Sequence, residues 1–523
     1  MVAPPLTRPR APARAARAGP VVTVTVTVLV AATLIPLGYI GWAVATTGTD
    51  RAVALIFRPR VAELLTNTAA LIAVTVPLCL ALGVGAAWLV ERTDLPGRRW
   101  WRPLFVAPLA VPAFVNSYAW VSVVPSLHGL VGGVVVATLS YFPLAYLPAL
   151  AALRRLDPAV EESGRTLGSG PGAVFLRIVL PQLRLAILGA ALLIALHLMA
   201  EYGAFAMLRF DTFTTAIFQQ FQATFDGAAG SMLAGVLVLC CLALLLVEAV
   251  VRGGARYARI GSGAARAATV VALGRWRLPA LAAAAGLAAL ALGVPVWTLA
   301  RWLVLGGRAV WEPAAVGSAL AQTLVLAATA AGVATAMAFP VAWVAVRHRG
   351  PLARLVEGAN FVTSSLPGIV IALALVTVAI RWAPPLYQTV GIVVAAYVLM
   401  FLPRALVSVR SGLAQVPIGL EEASRSLGAT AAETFLRVTL RLAAPAAAAG
   451  ASLVFVAVAT ELTATLLLAP TGTDTLAMKF WTFSSELDYA AAAPYALVMV
   501  VLAIPVTLVL LHQSTREAGV SDR

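Results

Sequence analysis

Lysine is almost missing from this chain: Lys479 is the single one, and every other basic position is Arg. That bias reads as genomic composition and carries no mechanistic weight. A phosphate-cradling P-loop needs Gly-x-x-x-x-Gly-Lys-Ser/Thr, whereas Lys479 lies in Ala477-Met478-Lys479-Phe480. Nucleotide hydrolysis through such a loop is therefore excluded. Histidine numbers only 4, and neither His-Glu-x-x-His nor Gly-x-Ser-x-Gly occurs. Cys79, Cys240 and Cys241 sit in apolar runs, so no disulfide framework and no Cys/His metal cluster is indicated. Charge is scarce too, at 11% of residues, where soluble proteins carry about 25%. No catalytic group, resident metal or cofactor is expected, and a soluble fold is excluded.

What remains is apolar: 61% of the 523 residues are hydrophobic and mean hydropathy is +0.93. A membrane helix takes about 20 apolar residues. Spans are expected to begin near Val21, Thr66, Pro103, Leu130, Leu183 and Ala228, then near Leu278, Ser318, Ala359, Leu386, Ala443 and Ala490. The expected fold is all-α and polytopic, with about twelve helices in two homologous six-helix halves. Pro and Gly blur the third and ninth spans, which membrane helices tolerate when neighbours re-satisfy the freed backbone groups.

The net charge of +15 points to loop orientation rather than nucleic acid, because Arg concentrates in cytoplasmic loops. With the N-terminus inside, those loops collect Arg92, Arg98, Arg99, Arg102, Arg154 and Arg155, and later Arg347, Arg349, Arg354, Arg404 and Arg410. Both termini are thus expected in the cytoplasm. Arg8, Arg10, Arg14 and Arg17 resemble a signal-peptide n-region, but the apolar run from about Val21 to Ala45 exceeds a cleavable core. An uncleaved first span behind a basic tail is expected. The boundaries read as a tail over 1–19, a first half over 20–252, a linker over 253–277, a second half over 278–513 and a tail over 514–523.

The halves repeat throughout. Asn67-Thr68, Trp88, Arg92 and Pro112 recur 255 positions later as Gln322-Thr323, Trp343, Arg347 and Pro367. Pro143 recurs 260 positions later as Pro403, so about five residues are inserted between the third and fourth spans of the second half. With six spans per half this is a parallel repeat.

The most informative repeat is a charged loop, Glu162-Ser163-Gly164-Arg165-Thr166-Leu167-Gly168, written again as Glu422-Ala423-Ser424-Arg425-Ser426-Leu427-Gly428. Asp157-Pro158 is a good helix start, and Gly168 supplies the left-handed residue that ends it. A second short helix carries Phe175-Leu176-Arg177 and stops before Pro181. The other copy starts at Pro417 and turns at Gly428, and Thr430 with Glu433 makes a capping box before Phe435-Leu436-Arg437. Each reads as a helix–turn–helix elbow.

Both elbows resemble the signature of ABC importer permeases: Glu-Ala-Ala, three residues, Gly, nine residues, Ile-x-Leu-Pro. The first copy has Ile178-Val179-Leu180-Pro181 at that spacing, and the second Val438-Thr439-Leu440-Arg441, with Arg441 in place of Pro. A differently shaped exit is expected in the second elbow. The resemblance covers essentially the whole chain as a fused pair of permease halves with the type I importer fold. It implies two ATP-binding-cassette subunits docking on the elbows, through Glu162, Arg165 and Gly168 and through Glu422, Arg425 and Gly428. It also implies an extracytoplasmic solute-binding protein and a bacterial cytoplasmic (inner) membrane location. Glu201-Tyr202-Gly203-Ala204 to Ile217, and Glu461-Leu462-Thr463-Ala464 to Ala477, resemble the permeases of ferric-iron uptake. Thiamine, phosphonate and polyamine permeases are close relatives.

Glu201 and Glu461 stand 260 positions apart, each roughly 27 Å along its helix at 1.5 Å per residue. Intramembrane carboxylates suggest a pathway, while the shallow depth equally fits an interfacial role. His197 shares a face with Glu201, but Ala457 at its counterpart argues for a packed or Glu-paired histidine over a ligand. Asn116 in Asn116-Ser117-Tyr118 and Ser364 in Thr363-Ser364-Ser365 are further pathway candidates, with helix glue as the plainer role. Glu248 is expected to snorkel or pair with Arg252. A twelve-helix ion-coupled transporter would explain the spans and carboxylates but not the duplicated elbow; a membrane scaffold would need no pathway.

Overall fold

The computed structural model describes residues 20–222, 227–253, 270–348 and 350–516. The basic tail and most of the central linker lie outside the described residues. Among these, structure is helical, with a single isolated bridge between Thr93 and Val271. Eight helices are long and apolar enough to cross a membrane, or up to twelve if each bent pair is one span. The fold is all-α and polytopic, as expected.

Most span starts lie near the hydropathy reading, but the spans expected from Thr66 and Ala443 begin earlier, at Pro59 and Ala431. Long helices cover Pro59–Arg92, Gly129–Arg155 and Gly227–Arg252, then Pro313–Arg347, Val390–Gln415 and Tyr489–Arg516. The final helix runs past the boundary expected at residue 513. The third and ninth spans are broken, as their Pro and Gly content foretold. Arg98–Ala110 meets Ala113–Val123 at 92°, and the ninth span is likewise split into two helices, Pro351–Thr363 and Gly368–Trp382. Pro112 and Pro367 sit at these breaks in extended conformation, each just before the returning helix. Extended proline followed by an open donor is what starts a helix in a new direction.

Two compact units emerge. One comprises residues up to Ile35 with Ala328–Ser364 and Tyr397–Phe455; the other comprises Pro36–Ala327, Ser365–Ala396 and the chain from Val456 onward. They interleave the sequence halves. The larger unit has a core in which Pro59–Arg92 packs on Gly129–Arg155 around Cys79, Phe142, Tyr146 and Leu150. Contact at Gly83 is so close that an added Cβ would lie 2.6 Å from Ala145 Cβ and 2.7 Å from the Phe142 carbonyl oxygen. In the smaller unit, Gly450 meets Ser408 in the same way, at 2.7 Å for an added Cβ.

The recurring polar pair has a shared task. Asn67 Nδ2 donates to the Asp211 carbonyl at 3.0 Å, and Gln322 Oε1 accepts from Asp474 N at 2.9 Å. Each ties a long helix to the segment after the matching short helix. Repetition in sequence has become repetition of a tertiary contact.

Candidate functional site

Each elbow is built by local signals. Asp157 Oδ1 accepts from Ala159 N at 3.0 Å and opens the Pro158–Thr166 helix. Gly168, at φ +83°, closes it: Gly168 N donates to Arg165 O and Ser169 N reaches back to Gly164 O. Those two bonds form a Schellman turn. The second copy repeats them, with Gly428 at φ +88°, Gly428 N on Arg425 O and Ala429 N on Ser424 O. Its following helix begins with the capping box read from sequence, Thr430 N donating to Glu433 Oε2 and Glu433 N to Thr430 Oγ1.

Both elbows then pass through a single π-helical turn, at Phe175–Val179 and Phe435–Thr439. Phe175 lies against Trp88 with ring centroids 5.4 Å apart, and Phe435 against Trp343 at 6.1 Å. The repeated tryptophans thus seat the repeated phenylalanines. Gly164 is where the two arms of the first elbow cross; an added Cβ would lie 2.4 Å from Ile178 Cδ1. Ser424 fills that position in the second, bonded to Thr434 Oγ1 at 3.0 Å.

The exits differ as Arg441 foretold. Gly172–Gln182 meets Arg184–Ala200 at a 69° bend, whereas Ala431–Ala459 runs as one span. Pro181 offers no backbone donor and obstructs the preceding turn. Arg441 restores the donor, and the helix continues.

The glutamates that anchor the elbows are the ones before the motif. Glu161 is buried and its Oε1 lies 3.0 Å from Arg92 Nη2, which also donates to Leu153 O at 2.7 Å. Glu421 is buried likewise, with Oε1 2.9 Å from Arg347 Nη2 and bonded to Thr439 Oγ1 at 3.3 Å. Arg165 and Arg425 approach the same carboxylates at 3.7 and 3.9 Å. Glu162 is half-buried and Glu422 exposed. Sequence reasoning passed over Glu161 and Glu421, although Arg92 and Arg347, their partners, were visible as a repeat. At each turn tip a leucine faces outward: Leu167 is 85% exposed and Leu427 88%.

Glu201 and Glu461 lie at helix breaks. Glu201 Oε1 accepts from Ala204 N at 2.9 Å and Oε2 from Tyr141 OH at 2.7 Å. Glu461 Oε1 accepts from Ala464 N at 2.8 Å. Each carboxylate therefore caps the short helix that follows, Gly203–Met207 or Thr463–Leu468. The two capped segments approach one another: an added Cβ at Gly203 would lie 2.9 Å from Leu462 Cδ2. His197 Nδ1 donates to the Leu193 carbonyl oxygen at 2.8 Å, and the ring packs edge-on against Tyr141 at 5.8 Å. Asn116 is buried and bonded to Ser140, while Ser364 is exposed and donates to Phe361 O. Glu248 holds Arg252 through Oε1 at 2.6 Å, the pairing expected. Among the described residues no three His, Cys, Asp or Glu side chains gather as a metal site.

The profile of the binding-protein-dependent transport system inner membrane component matches residues 79–256 and again 328–516. The chain belongs to this permease family. The family unit thus occurs twice along the chain. The permease is 36% identical to the "Fe(3+)-transport system permease protein FbpB 2" of Haemophilus influenzae over 88% of its own length and 92% of that protein. It is 23% identical to the "Ferric transport system permease protein FbpB" of Actinobacillus pleuropneumoniae over 73% of its length, covering 58% of that protein. Likeness to the "Sulfate transport system permease protein CysT" of Escherichia coli is 27% over 31% of this permease. It is thus a multi-pass membrane permease of the ABC importer class, and these relatives are transport permeases rather than enzymes.

Proposed function

We propose that this permease carries ferric iron, delivered to its outer face by a solute-binding protein, across the bacterial inner membrane. Two ATP-binding-cassette subunits would dock on the elbows and supply the energy that a chain without a P-loop cannot. The observation that carries this reading is the duplicated elbow, whose tip leucine faces outward while its buried glutamate grips a long membrane helix. A leucine exposed at the same place on both elbows offers each partner subunit the same apolar contact, and a buried ion pair behind it makes a stiff lever. Closure of the ATPase pair would draw on both elbows together and switch access from one side of the membrane to the other. Arg placement supports elbows and both termini on the cytoplasmic side.

Iron is favoured over sulfate by the extent of the likeness, since the ferric relative aligns over nearly the whole chain and the sulfate relative over a third. Purified permease in proteoliposomes tests the reading. Uptake of ferric iron should need the ATPase, ATP and the binding protein together. Uptake driven by a proton gradient alone would overturn it in favour of an ion-coupled transporter.

A further inference from the structure

Two Arg-Trp clusters, far apart in sequence, come to one end of the larger unit. The first, Arg98-Arg99-Trp100, opens the Arg98–Val106 helix. The second, Arg275-Trp276-Arg277, lies at the start of the apolar span Gly274–Gly306. Backbone bonds join the segments that lead into them. Val271 N donates to Arg92 O at 2.8 Å, Asp94 N to Val271 O at 3.2 Å, and Leu273 N to Asp94 Oδ1 at 2.8 Å. The Arg277–Ala288 helix then packs on Arg98–Val106.

The charge gathered there is not balanced. Among the described residues no carboxylate pairs with Arg98, Arg99, Arg275 or Arg277, and all four are exposed. The acidic groups of the first loop are engaged elsewhere: Glu91 Oε1 lies 3.2 Å from Arg102 Nε and 2.7 Å from Arg154 Nη2, and Asp94 accepts from Leu273 N. The tryptophans divide in the same way. Trp101 is packed, its Nε1 donating to Pro96 O at 2.9 Å and its ring stacked on Phe105. Trp100 is 68% exposed and Trp276 62%, with Arg99 and Arg275 over their rings at 5.7 and 5.8 Å. The headgroup layer of a membrane accommodates both the apolar ring and the N–H of such an indole. No such cluster recurs in the second half. At the offset of 255, Ala353, Leu355 and Glu357 stand for Arg98, Trp100 and Arg102, and Glu357 pairs with Arg410 at 2.9 Å. Orientation by positive charge applies to both halves alike, so it does not account for the difference.

We propose that this end of the unit binds the headgroup of an anionic phospholipid, with Arg98, Arg99, Arg275 and Arg277 serving its phosphate oxygens and Trp100 and Trp276 seated in the headgroup layer. Guanidinium groups bind phosphate through paired, charge-assisted hydrogen bonds. Basic sites at the ends of membrane helices are where anionic lipids are recognised. Both clusters stand at such ends, one just after the Pro59–Arg92 span and the other at the start of Gly274–Gly306. A soluble anion would answer the charge and leave both indoles in water; a lipid answers both. The proposal goes beyond the importer reading and does not depend on the cargo.

Native mass spectrometry of the full-length permease tests this, with the protein released from detergent micelles containing equal phosphatidylglycerol and phosphatidylcholine. Wild type should retain phosphatidylglycerol at least about tenfold over phosphatidylcholine, since each basic residue near the lipid adds to binding. The combined variant Arg98→Gln, Arg99→Gln, Arg275→Gln and Arg277→Gln should lose that preference. Its melting temperature in lipid-free detergent should hold, because exposed substitutions change stability little. Arg308→Gln, an exposed control elsewhere, should keep the preference. Equal retention of the two lipids by wild type, or an undiminished preference in the combined variant, would overturn the site. Displacement of phosphatidylglycerol by inorganic phosphate would show a soluble-anion site and overturn the lipid assignment. Lost ATPase capture by the combined variant, with its lipid preference intact, would assign the patch to a protein partner instead.

Discussion

Arg92 Nη2 and Glu161 Oε1 stand 3.0 Å apart with both side chains only 5% exposed, and Arg347 repeats the contact with Glu421 at 2.9 Å. Each pair joins the end of a long helix to the first arm of an elbow. Neither charge can relax into water, so the elbow cannot shift without carrying the helix with it. Removing one partner of such a pair typically costs about 3–5 kcal/mol, whereas replacing both with apolar groups is often neutral. Arg92→Met should therefore lower the melting temperature clearly, and Arg92→Met with Glu161→Met should recover most of the loss. Thermal unfolding of purified protein measures both; equal destabilisation by the two would show that the pair is not coupled.

The elbow turn depends on its glycine. With φ at +83° in Gly168 and +88° in Gly428, a β-branched side chain meets the left-handed penalty. An added Cβ meets nothing within 4 Å at either position, so the cost is conformational rather than steric. Gly168→Val and Gly428→Val should each weaken ATPase capture several-fold, while Gly168→Asn, tolerant of that region, should lose little. Wild-type capture by both valine variants would remove the turn from the docking surface.

Leu167 and Leu427 contribute nothing to the permease core at 85% and 88% exposure. Leu167→Asp and Leu427→Asp should leave the melting temperature of the isolated permease within a degree or so, because exposed substitutions change stability by about 0.5 kcal/mol or less. ATPase association should fall at least about tenfold, as for a buried interface anchor. Co-purification of the ATPase with both variants at wild-type yield would relocate the docking contact.

Glu201 and Glu461 allow charge to be separated from shape. A glutamine oxygen can still accept from Ala204 N or Ala464 N, so Glu201→Gln with Glu461→Gln keeps both helix caps. Assembly should survive and iron uptake should drop. Unchanged uptake would leave the two carboxylates as caps alone.

The exits of the elbows offer a reciprocal experiment. Arg441→Pro should introduce a bend into the Ala431–Ala459 span like the 69° bend after Pro181. Spin-label distances across residue 441 would register it, and an unchanged distance would show that proline does not set the angle.

Sequence by itself determined whatever is local or repeated. Span number, the breaks at Pro112 and Pro367, the capping box at Thr430, the glycine turns and the contrast between Pro181 and Arg441 all follow from short-range chemistry, and duplication separated them from coincidence. Tertiary structure decided what depends on which side chains meet. Glu161 and Glu162 are adjacent and chemically identical, and only the position of Arg92, 69 residues earlier, makes one an anchor and leaves the other half-exposed. In the same way, Glu201 became a cap because Ala204 N turns back toward it. Asn116, a candidate already by sequence, has its amide N–H accepted by Ser140 Oγ, and no group among the described residues donates to its oxygen. Linear spacing encodes the backbone's own hydrogen bonds well; it does not encode the burial and long-range pairing that give a charged or polar side chain its work.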